Sequence, residues 1–227
     1  MSYPYDTITH AKYMTQNVEV GKLKTFTHEF PIIRQSIGNG YKLLDFGCGQ
    51  GKIYTEYLEP EGLDVEYVGI DIDKSLDVKF KLFHSVDEFV EAGYPKRYFD
   101  GLALLDVIEH LSHEEMFEIL EKLNPYIDGD IFIMTPNAKC LDYLFSDSQH
   151  KTIYPLNELI NLAKYMGFEI RELRRGKGIY HNRAVALLND PKRKDIKEIM
   201  DMQRQVCTAL GLDWYGNILL IGERNSE

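Results

Sequence analysis

The sequence predicts an α/β fold with helices on both faces of a mostly parallel sheet. Short apolar runs alternate along the chain with segments whose apolar residues recur every three or four positions, as in strands and amphipathic helices. The run Tyr41–Phe46 is largely apolar, which is typical of a strand buried in a parallel sheet, and Gly47, Gly49 and Gly51 follow it directly. Because glycine accepts positive φ and lets a ligand approach the backbone, this turn predicts a nucleotide site at the carboxyl end of that strand.

Seven strands are expected in a single domain that comprises all 227 residues. Their expected positions are residues 41–46, 66–71, 80–84, 99–105, 130–135, 167–173 and 217–221. The domain divides into an N-terminal helical cover (1–40), a cofactor-binding core (41–173), a helical insertion before the last strand (174–216), and that strand with its tail (217–227).

Both flanking regions of the core are expected to be helical. Apolar residues between Val18 and Ile37 have helical spacing, which predicts an amphipathic helix interrupted near Pro31. Pro191 is a plausible first helical residue, and apolar residues continue with helical spacing to about Leu210. The insertion that contains this second helix is expected either to cover the substrate or to form an oligomer contact.

Composition limits the classes of partner. The formal net charge of −10 opposes binding to a phosphate backbone, so nucleic acid is disfavoured. The apolar runs are far shorter than a membrane span, and the first residues carry no basic start followed by an apolar segment, so neither a membrane protein nor a secretory signal is expected. Three widely spaced cysteines argue against a disulfide framework. We therefore expect a cytoplasmic protein.

Two further features distinguish between kinds of cofactor. The second strand ends in Asp71, about twenty residues after the loop, where an acidic side chain can accept hydrogen bonds from a ribose; Asp73 is the alternative. The loop reads D-x-G-x-G-x-G from Asp45 to Gly51, whereas a dinucleotide fingerprint reads G-x-G-x-x-G. This spacing counts against a nicotinamide or flavin cofactor.

The glycine loop, the acidic end of the second strand and the D-V-I-E-H-L that follows the fourth strand resemble the class I S-adenosylmethionine-dependent methyltransferases. The resemblance extends over roughly residues 43–172 and implies a Rossmann-like fold with S-adenosylmethionine (SAM) as cofactor. It implies that Gly47, Gly49 and Gly51 pass beside the methionine part of SAM, that Asp45 lies near its amino group, and that Asp71 binds the ribose hydroxyls.

The same resemblance indicates where the rest of the cofactor lies. Residues after the third strand lie near the adenine in this family, so Ser85 is the expected contact there and Asp87 is a second candidate. Asp106, at the end of the fourth strand, completes the expected cofactor-binding set.

Two histidines are candidates for a general base. Methyl transfer from a sulfonium is a direct displacement, and a hydroxyl acceptor gains from a group that takes its proton. Histidine titrates near neutral pH, so His110 or His150 suits this role. The segment from His150 to Leu159 looks like that of family members that act on quinone or sugar hydroxyls.

A metal site is the alternative arrangement. Asp106, Glu109, His110 and His150 resemble the metal ligands of the small-RNA 3′-terminal 2′-O-methyltransferases, although Asp106 stands where that family has Glu. The acidity of the chain favours the metal-free alternative. The sequence thus predicts a SAM-dependent O-methyltransferase of a small-molecule, sugar or quinone-like hydroxyl. A metal-dependent RNA ribose 2′-O-methyltransferase and a non-catalytic cofactor-binding protein are the other two hypotheses.

Overall fold

The computed structural model describes residues 23–26, 28–140, 149–176 and 216–225, and residues 202, 205, 206, 209 and 210. Its described strands form one eight-stranded sheet in the order β1-β7-β8-β6-β5-β2-β3-β4. The strands are β1 (Lys24–Phe26), β2 (Tyr41–Phe46), β3 (Val65–Ile70), β4 (Lys81–Phe83), β5 (Phe99–Leu105), β6 (Ile127–Pro136), β7 (Phe168–Gly176) and β8 (Asn217–Arg224).

Helices connect the strands and cover both faces of the sheet. The α-helices are α1 (Phe30–Ile33), α2 (Val86–Glu91), α3 (His113–Leu123) and α4 (Leu156–Tyr165). A π-helical turn at Tyr54–Leu58 follows the glycine loop, and 3-10 turns lie at Arg34–Ser36, Ile108–His110 and Asn124–Tyr126. A capping box begins α3, because the Ser112 side chain accepts from the Glu115 amide while the Glu115 carboxylate accepts from the Ser112 amide.

The order of the strands fixes the position of the ligand crevice. The chain runs outward from β2 through β3 to β4, and then returns to place β5 on the other side of β2. Every described strand pair is parallel except those of β8, which runs antiparallel to both β6 and β7. In sheets of this type the ligand crevice opens at the carboxyl ends of the two strands where the order reverses, here β2 and β5.

The core consists of two apolar layers, one on each face of the sheet. Successive strand residues point to opposite faces, so Leu102 and Leu104 pack into one layer while Ala103 packs into the other. The first layer contains the buried sides of α3 and α4, and the second contains Ile33 of α1 and Leu58 of the π-helical turn. All five side chains are almost fully buried.

The Rossmann-like, mostly parallel sheet predicted from the sequence is confirmed, with one addition. The helix expected over residues 18–37 is wrong for Lys24–Phe26, which is a strand paired in parallel with β7, whereas the later part is helical at Phe30–Ile33 and Arg34–Ser36. The physical reason is that β7 offers free backbone groups to residues 24–26, and Pro31 fits only the first turn of a helix. Residues 1–22 and 27 lie outside the described part.

The expected insertion begins later than predicted. Strand β7 continues to Gly176, so three residues assigned to the insertion belong to the sheet. The helix expected from Pro191 to about Leu210 falls mostly outside the described residues, but Met202, Gln205, Val206 and Ala209 are helical. None of the described helices has the length and apolar character that a membrane crossing requires.

Candidate active site

The glycine loop has the conformation that its sequence predicts. Gly47, Gly49 and Gly51 have φ values of 73°, 49° and 66°. A Cβ on Gly47 would lie 2.7 Å from the Val107 Cβ, and one on Gly51 would lie 2.6 Å from the Phe80 Cζ, whereas nothing lies within 4 Å of a Cβ on Gly49. The first and third glycines therefore permit close packing of protein on the loop, and Gly49 faces open space where a ligand can approach.

Asp71 lies next to this loop. One of its carboxylate oxygens accepts from the Gly49 amide at 2.8 Å, and the other accepts from the Asp73 amide at 2.9 Å. Each oxygen has a second lone pair that a ribose hydroxyl could use. Asp73, the alternative ribose ligand, accepts from the amide and hydroxyl of Ser75 on one carboxylate oxygen. Within the described residues it makes no bond to the glycine loop, whereas Asp71 accepts from the Gly49 amide. The geometry favours Asp71, and its binding of ribose stays a prediction.

Asp45 lies beneath the loop and is only 5% exposed. Its carboxylate accepts a hydrogen bond from the Tyr67 hydroxyl. Burial raises the pKa of Asp45 to about 7; the Tyr67 hydrogen bond opposes this rise, and the charge of Asp71 adds to it. A direct contact between Asp45 and the SAM amino group stays a prediction, because the structure shows the carboxylate bonded to Tyr67.

Asp106 ends β5 in an unusual backbone conformation. Its φ of 50° is rare outside glycine, although aspartate tolerates it better than most residues. The Asp106 amide donates to the Met134 carbonyl at 2.9 Å, and the side chain is exposed. Partial desolvation by nearby protein raises the pKa of Asp106 to about 7, Glu29 contributes to the rise, and Lys52 opposes it. Asp106 thus presents an exposed carboxyl group at the carboxyl end of β5.

Ser85 has a structural role just after β4, the strand that was expected from the sequence as the third. Its side chain accepts from the Glu88 amide at 3.1 Å and so caps α2. The second candidate, Asp87, is exposed and pairs with Lys122 at 2.7 Å. A contact of Ser85 with adenine stays a prediction.

Glu109, His110 and His150 converge, and we call them the Glu–His–His cluster. One ligand atom from each residue can be chosen so that all three lie within 4.8 Å of one another. The imidazole centroids of the two histidines are 5.0 Å apart. Glu109 is only 2% exposed, whereas both histidines are half-buried. Asp106, the fourth residue of the metal set proposed from the sequence, is not part of this cluster.

Backbone hydrogen bonds hold the two parts of the cluster together. The amides of Lys151 and Thr152 donate to the Glu109 carbonyl at 2.8 and 3.1 Å. The Thr152 hydroxyl donates to the Leu111 carbonyl at 2.5 Å. These bonds fix His150 beside a turn that lies roughly forty residues earlier in the chain.

The cluster is close to the glycine loop. Val107, whose side chain would collide with a Cβ on Gly47, is followed directly by the turn Ile108–His110. On the other side, the Thr135 hydroxyl at the end of β6 donates to the Glu109 carboxylate at 3.1 Å. The cluster therefore lies at the carboxyl ends of β5 and β6, on the same edge of the sheet as the loop.

The sequence alone did not identify two residues that hydrogen-bond to carboxylates of the candidate site. Tyr67 and Thr135 lie inside strands, where their hydrogen bonds to Asp45 and Glu109 have no sequence signal. Aromatic and β-branched residues are common in strands for packing alone, so only the three-dimensional pairing shows their role.

Comparisons with known proteins agree with this geometry. A family model described as a methyltransferase domain matches residues 16–173. A mouse ubiquinone biosynthesis O-methyltransferase, mitochondrial, is 35% identical over 126 residues, which are 46% of this chain and 31% of the mouse protein. This chain thus spans about a third of that relative.

Solved structures share the fold. A SAM-dependent methyltransferase from Archaeoglobus fulgidus is 22% identical and superposes with a TM-score of 0.65. The superposition covers 86% of this chain and 91% of the Archaeoglobus chain. Phosphoethanolamine N-methyltransferase 2 of Haemonchus contortus, solved in complex with SAM, is 14% identical and has a TM-score of 0.57. The superposition covers 87% of this chain and 52% of the Haemonchus chain.

Proposed function

Since this chain belongs to the methyltransferase-domain family, we propose that it is a SAM-dependent methyltransferase that methylates a hydroxyl of a small sugar-like or quinone-like acceptor. The observation that carries this proposal is the position of His110 and His150, whose ring centroids lie 5.0 Å apart on the same edge of the sheet as the glycine loop. The mouse relative, named as an O-methyltransferase of ubiquinone biosynthesis, supports a quinone-like acceptor. Cytoplasmic localisation and an oligomer contact through the insertion (174–216) stay predictions.

The cofactor crevice suits a cationic ligand. When bound, SAM supplies an electrophilic methyl group on a positively charged sulfur. The Asp71 carboxylate accepts from the Gly49 amide of the glycine loop and brings negative charge to the crevice. Opposite charge favours binding of a sulfonium, and the open space at Gly49 lets the ligand reach the backbone.

The histidines provide a place for the acceptor's proton. A neutral hydroxyl is a weak nucleophile, and an imidazole that titrates near neutral pH can accept its proton as the new bond forms. The His110 Nδ1 lies 3.4 Å from the Gln149 carbonyl oxygen. With its proton on Nδ1, this ring donates to the carbonyl and keeps Nε2 as the proton acceptor. His150 is the second candidate base, on a loop fixed by Glu109.

A panel of matched acceptors tests the proposal. The protein is incubated with SAM and small aromatic diols, sugars, and the analogous amines, and methylated products are identified by mass spectrometry. We expect methyl ethers from hydroxyl acceptors and a large loss of product with His150→Ala. Methylation of amines alone, or of an RNA 3′ end in preference to every small acceptor, contradicts the proposal.

A further inference from the structure

We propose that His84 positions the predicted ribose ligand, Asp71, and thereby sets a preference of the protein for a cofactor with intact ribose hydroxyls. His84 directly follows β4, the three-residue strand at one edge of the sheet. This role rests on the part of the proposed function that makes SAM the methyl donor. It is independent of the acceptor and of the Glu–His–His cluster.

The backbone of Asp71 is bonded to the end of β4. Its amide donates to the Phe83 carbonyl at 2.9 Å, which extends the parallel ladder of β3 and β4 by one residue. In a longer parallel ladder the Asp71 carbonyl would accept from the Ser85 amide. Here the chain turns into α2 at Ser85, and the Asp71 carbonyl oxygen lies 3.2 Å from the His84 Nδ1. With its proton on Nδ1, the imidazole donates to this carbonyl and takes the place that a backbone amide has in the ladder.

The direction of the Asp71 carboxylate depends on this carbonyl. One carboxylate oxygen accepts at 2.9 Å from the amide of Asp73, two residues on, which is the hydrogen bond of an Asx turn. Because the Asp71 carbonyl belongs to a peptide group of this turn, a fixed carbonyl also fixes where the Asp73 amide points. The other oxygen accepts from the Gly49 amide at 2.8 Å. His84 thus restrains one oxygen and the glycine loop restrains the other, so their remaining lone pairs keep one direction for ribose hydroxyls.

The turn 71–73 has little apolar packing to hold it in place. Ile72, at its centre, is 85% exposed, and Asp73 is exposed as well. Hydrogen bonds therefore carry most of the restraint on this turn. His84 is partly buried, so its ring has fewer orientations available than the side chains of the turn.

The start of α2 in turn holds His84. The His84 amide donates to the Glu88 carboxylate at 2.7 Å, and the Glu88 amide donates to the Ser85 hydroxyl at 3.1 Å. These reciprocal bonds cap the helix and fix the backbone from which the imidazole projects. A connected set of hydrogen bonds therefore runs from α2 through His84 to the carboxylate that faces the glycine loop.

A purely structural role for His84 makes a different prediction. Strand β4 has only three residues, so a side-chain bond to β3 would stabilise the sheet edge whether or not a ligand binds. Loss of such a bond would lower the melting temperature and weaken every nucleoside ligand alike. Loss of a positioning bond would weaken only those ligands that carry the ribose hydroxyls.

Calorimetric titration of the full chain with S-adenosylhomocysteine and with its 2′-deoxy analogue tests this role without any acceptor. The wild type should bind S-adenosylhomocysteine about tenfold more tightly, because the analogue lacks a hydroxyl that donates to a carboxylate. His84→Ala should weaken binding of S-adenosylhomocysteine by about fivefold and leave binding of the analogue nearly unchanged. The preference should therefore fall to about twofold.

Two further variants separate positioning from stability. His84→Asn keeps a nitrogen donor at the place of Nδ1 and should restore most of the preference. The Lys81 ammonium lies 5.1 Å from the Phe83 ring centroid and 4.7 Å from that of Tyr94. Lys81→Met therefore disturbs the same edge strand without removing a bond to Asp71, and it should leave the preference unchanged.

The outcomes distinguish this role from the proposed function. An unchanged preference in His84→Ala, an equal loss of preference in Lys81→Met, or no recovery in His84→Asn overturns the inference. If the wild type forms methyl ethers but binds both ligands equally, the positioning role falls and the proposed function stands. If the preference depends on His84 but amines alone are methylated, the proposed function falls and the positioning role stands.

Discussion

The two sides of the active site are built in different ways. The proposed cofactor side, which comprises Asp45, the glycine loop and Asp71, lies within one continuous stretch of residues 45–71. The proposed acceptor side is the Glu–His–His cluster, assembled from segments roughly forty residues apart and joined by bonds to the Glu109 carbonyl. The first depends on backbone conformation at glycines and the second on a tertiary contact. A local motif can thus specify the cofactor, while the acceptor site exists only in the folded chain.

The largest expected effect is on the acceptor side. His150→Ala should lower turnover by about a hundredfold or more, because it removes a candidate general base, while SAM affinity and melting temperature stay nearly unchanged. Steady-state kinetics with a hydroxyl acceptor, together with calorimetric SAM titration, checks this. His113→Ala is the matched control. An equal loss of SAM affinity in His150→Ala would mean that the two sides are not separable.

Asp45 gives the cofactor side a pH dependence. Its pKa of about 7 in the folded chain lies above its ordinary value of 3.8, so the folded state holds the proton more tightly. The resulting stability is complete below about pH 4 and is lost as pH rises through about 7. From pH 5 to pH 8 the free energy of unfolding should fall by about 2–3 kcal/mol more in the wild type than in Asp45→Asn. Chemical denaturation at both pH values measures this difference, and parallel curves would contradict it.

Gly49→Ala separates ligand approach from folding. Gly49 and Gly62 both have positive φ and open space for a Cβ, so alanine at either position should cost about 1–2 kcal/mol of stability. In Gly49→Ala alone, the added methyl group should also weaken SAM binding by about tenfold to a hundredfold. Thermal unfolding and SAM titration of both variants check the pair. Similar SAM affinity in the two would place the cofactor away from Gly49.

Asp71→Asn should have the smallest effect of the set. Asparagine can still accept from the Gly49 amide but lacks the negative charge, so SAM affinity should fall by about tenfold. Asp73→Asn is the control, since Asp73 bonds Ser75 in its own turn. A stronger loss in the control than in Asp71→Asn would reverse the assignment of the ribose ligand.

The same division explains how much the sequence could predict. Strands β2 and β5 were predicted residue for residue, because apolar runs ended by turn residues are local signals. The glycine loop and Asp71 followed from spacing. The sequence could not predict how closely His150 approaches Glu109. That approach depends on the tertiary hydrogen bond from the Lys151 amide to the Glu109 carbonyl. The short strand Lys24–Phe26 was missed because its pairing with β7 outweighs local helical spacing.

The short strand Lys24–Phe26 also affects how the protein avoids aggregation through the edges of its sheet. An open sheet edge can recruit a strand from another chain, which is a route to aggregation. Among the described strands the two at the edges, Lys24–Phe26 and Lys81–Phe83, have three residues each, and each includes a lysine. The part of β7 before the segment paired with β1 carries three charged residues, Glu169, Arg171 and Glu172. Short, charged edge strands of this kind offer few backbone groups for pairing with another chain. They therefore lower the tendency of the long hydrophobic strands between them to form intermolecular sheets.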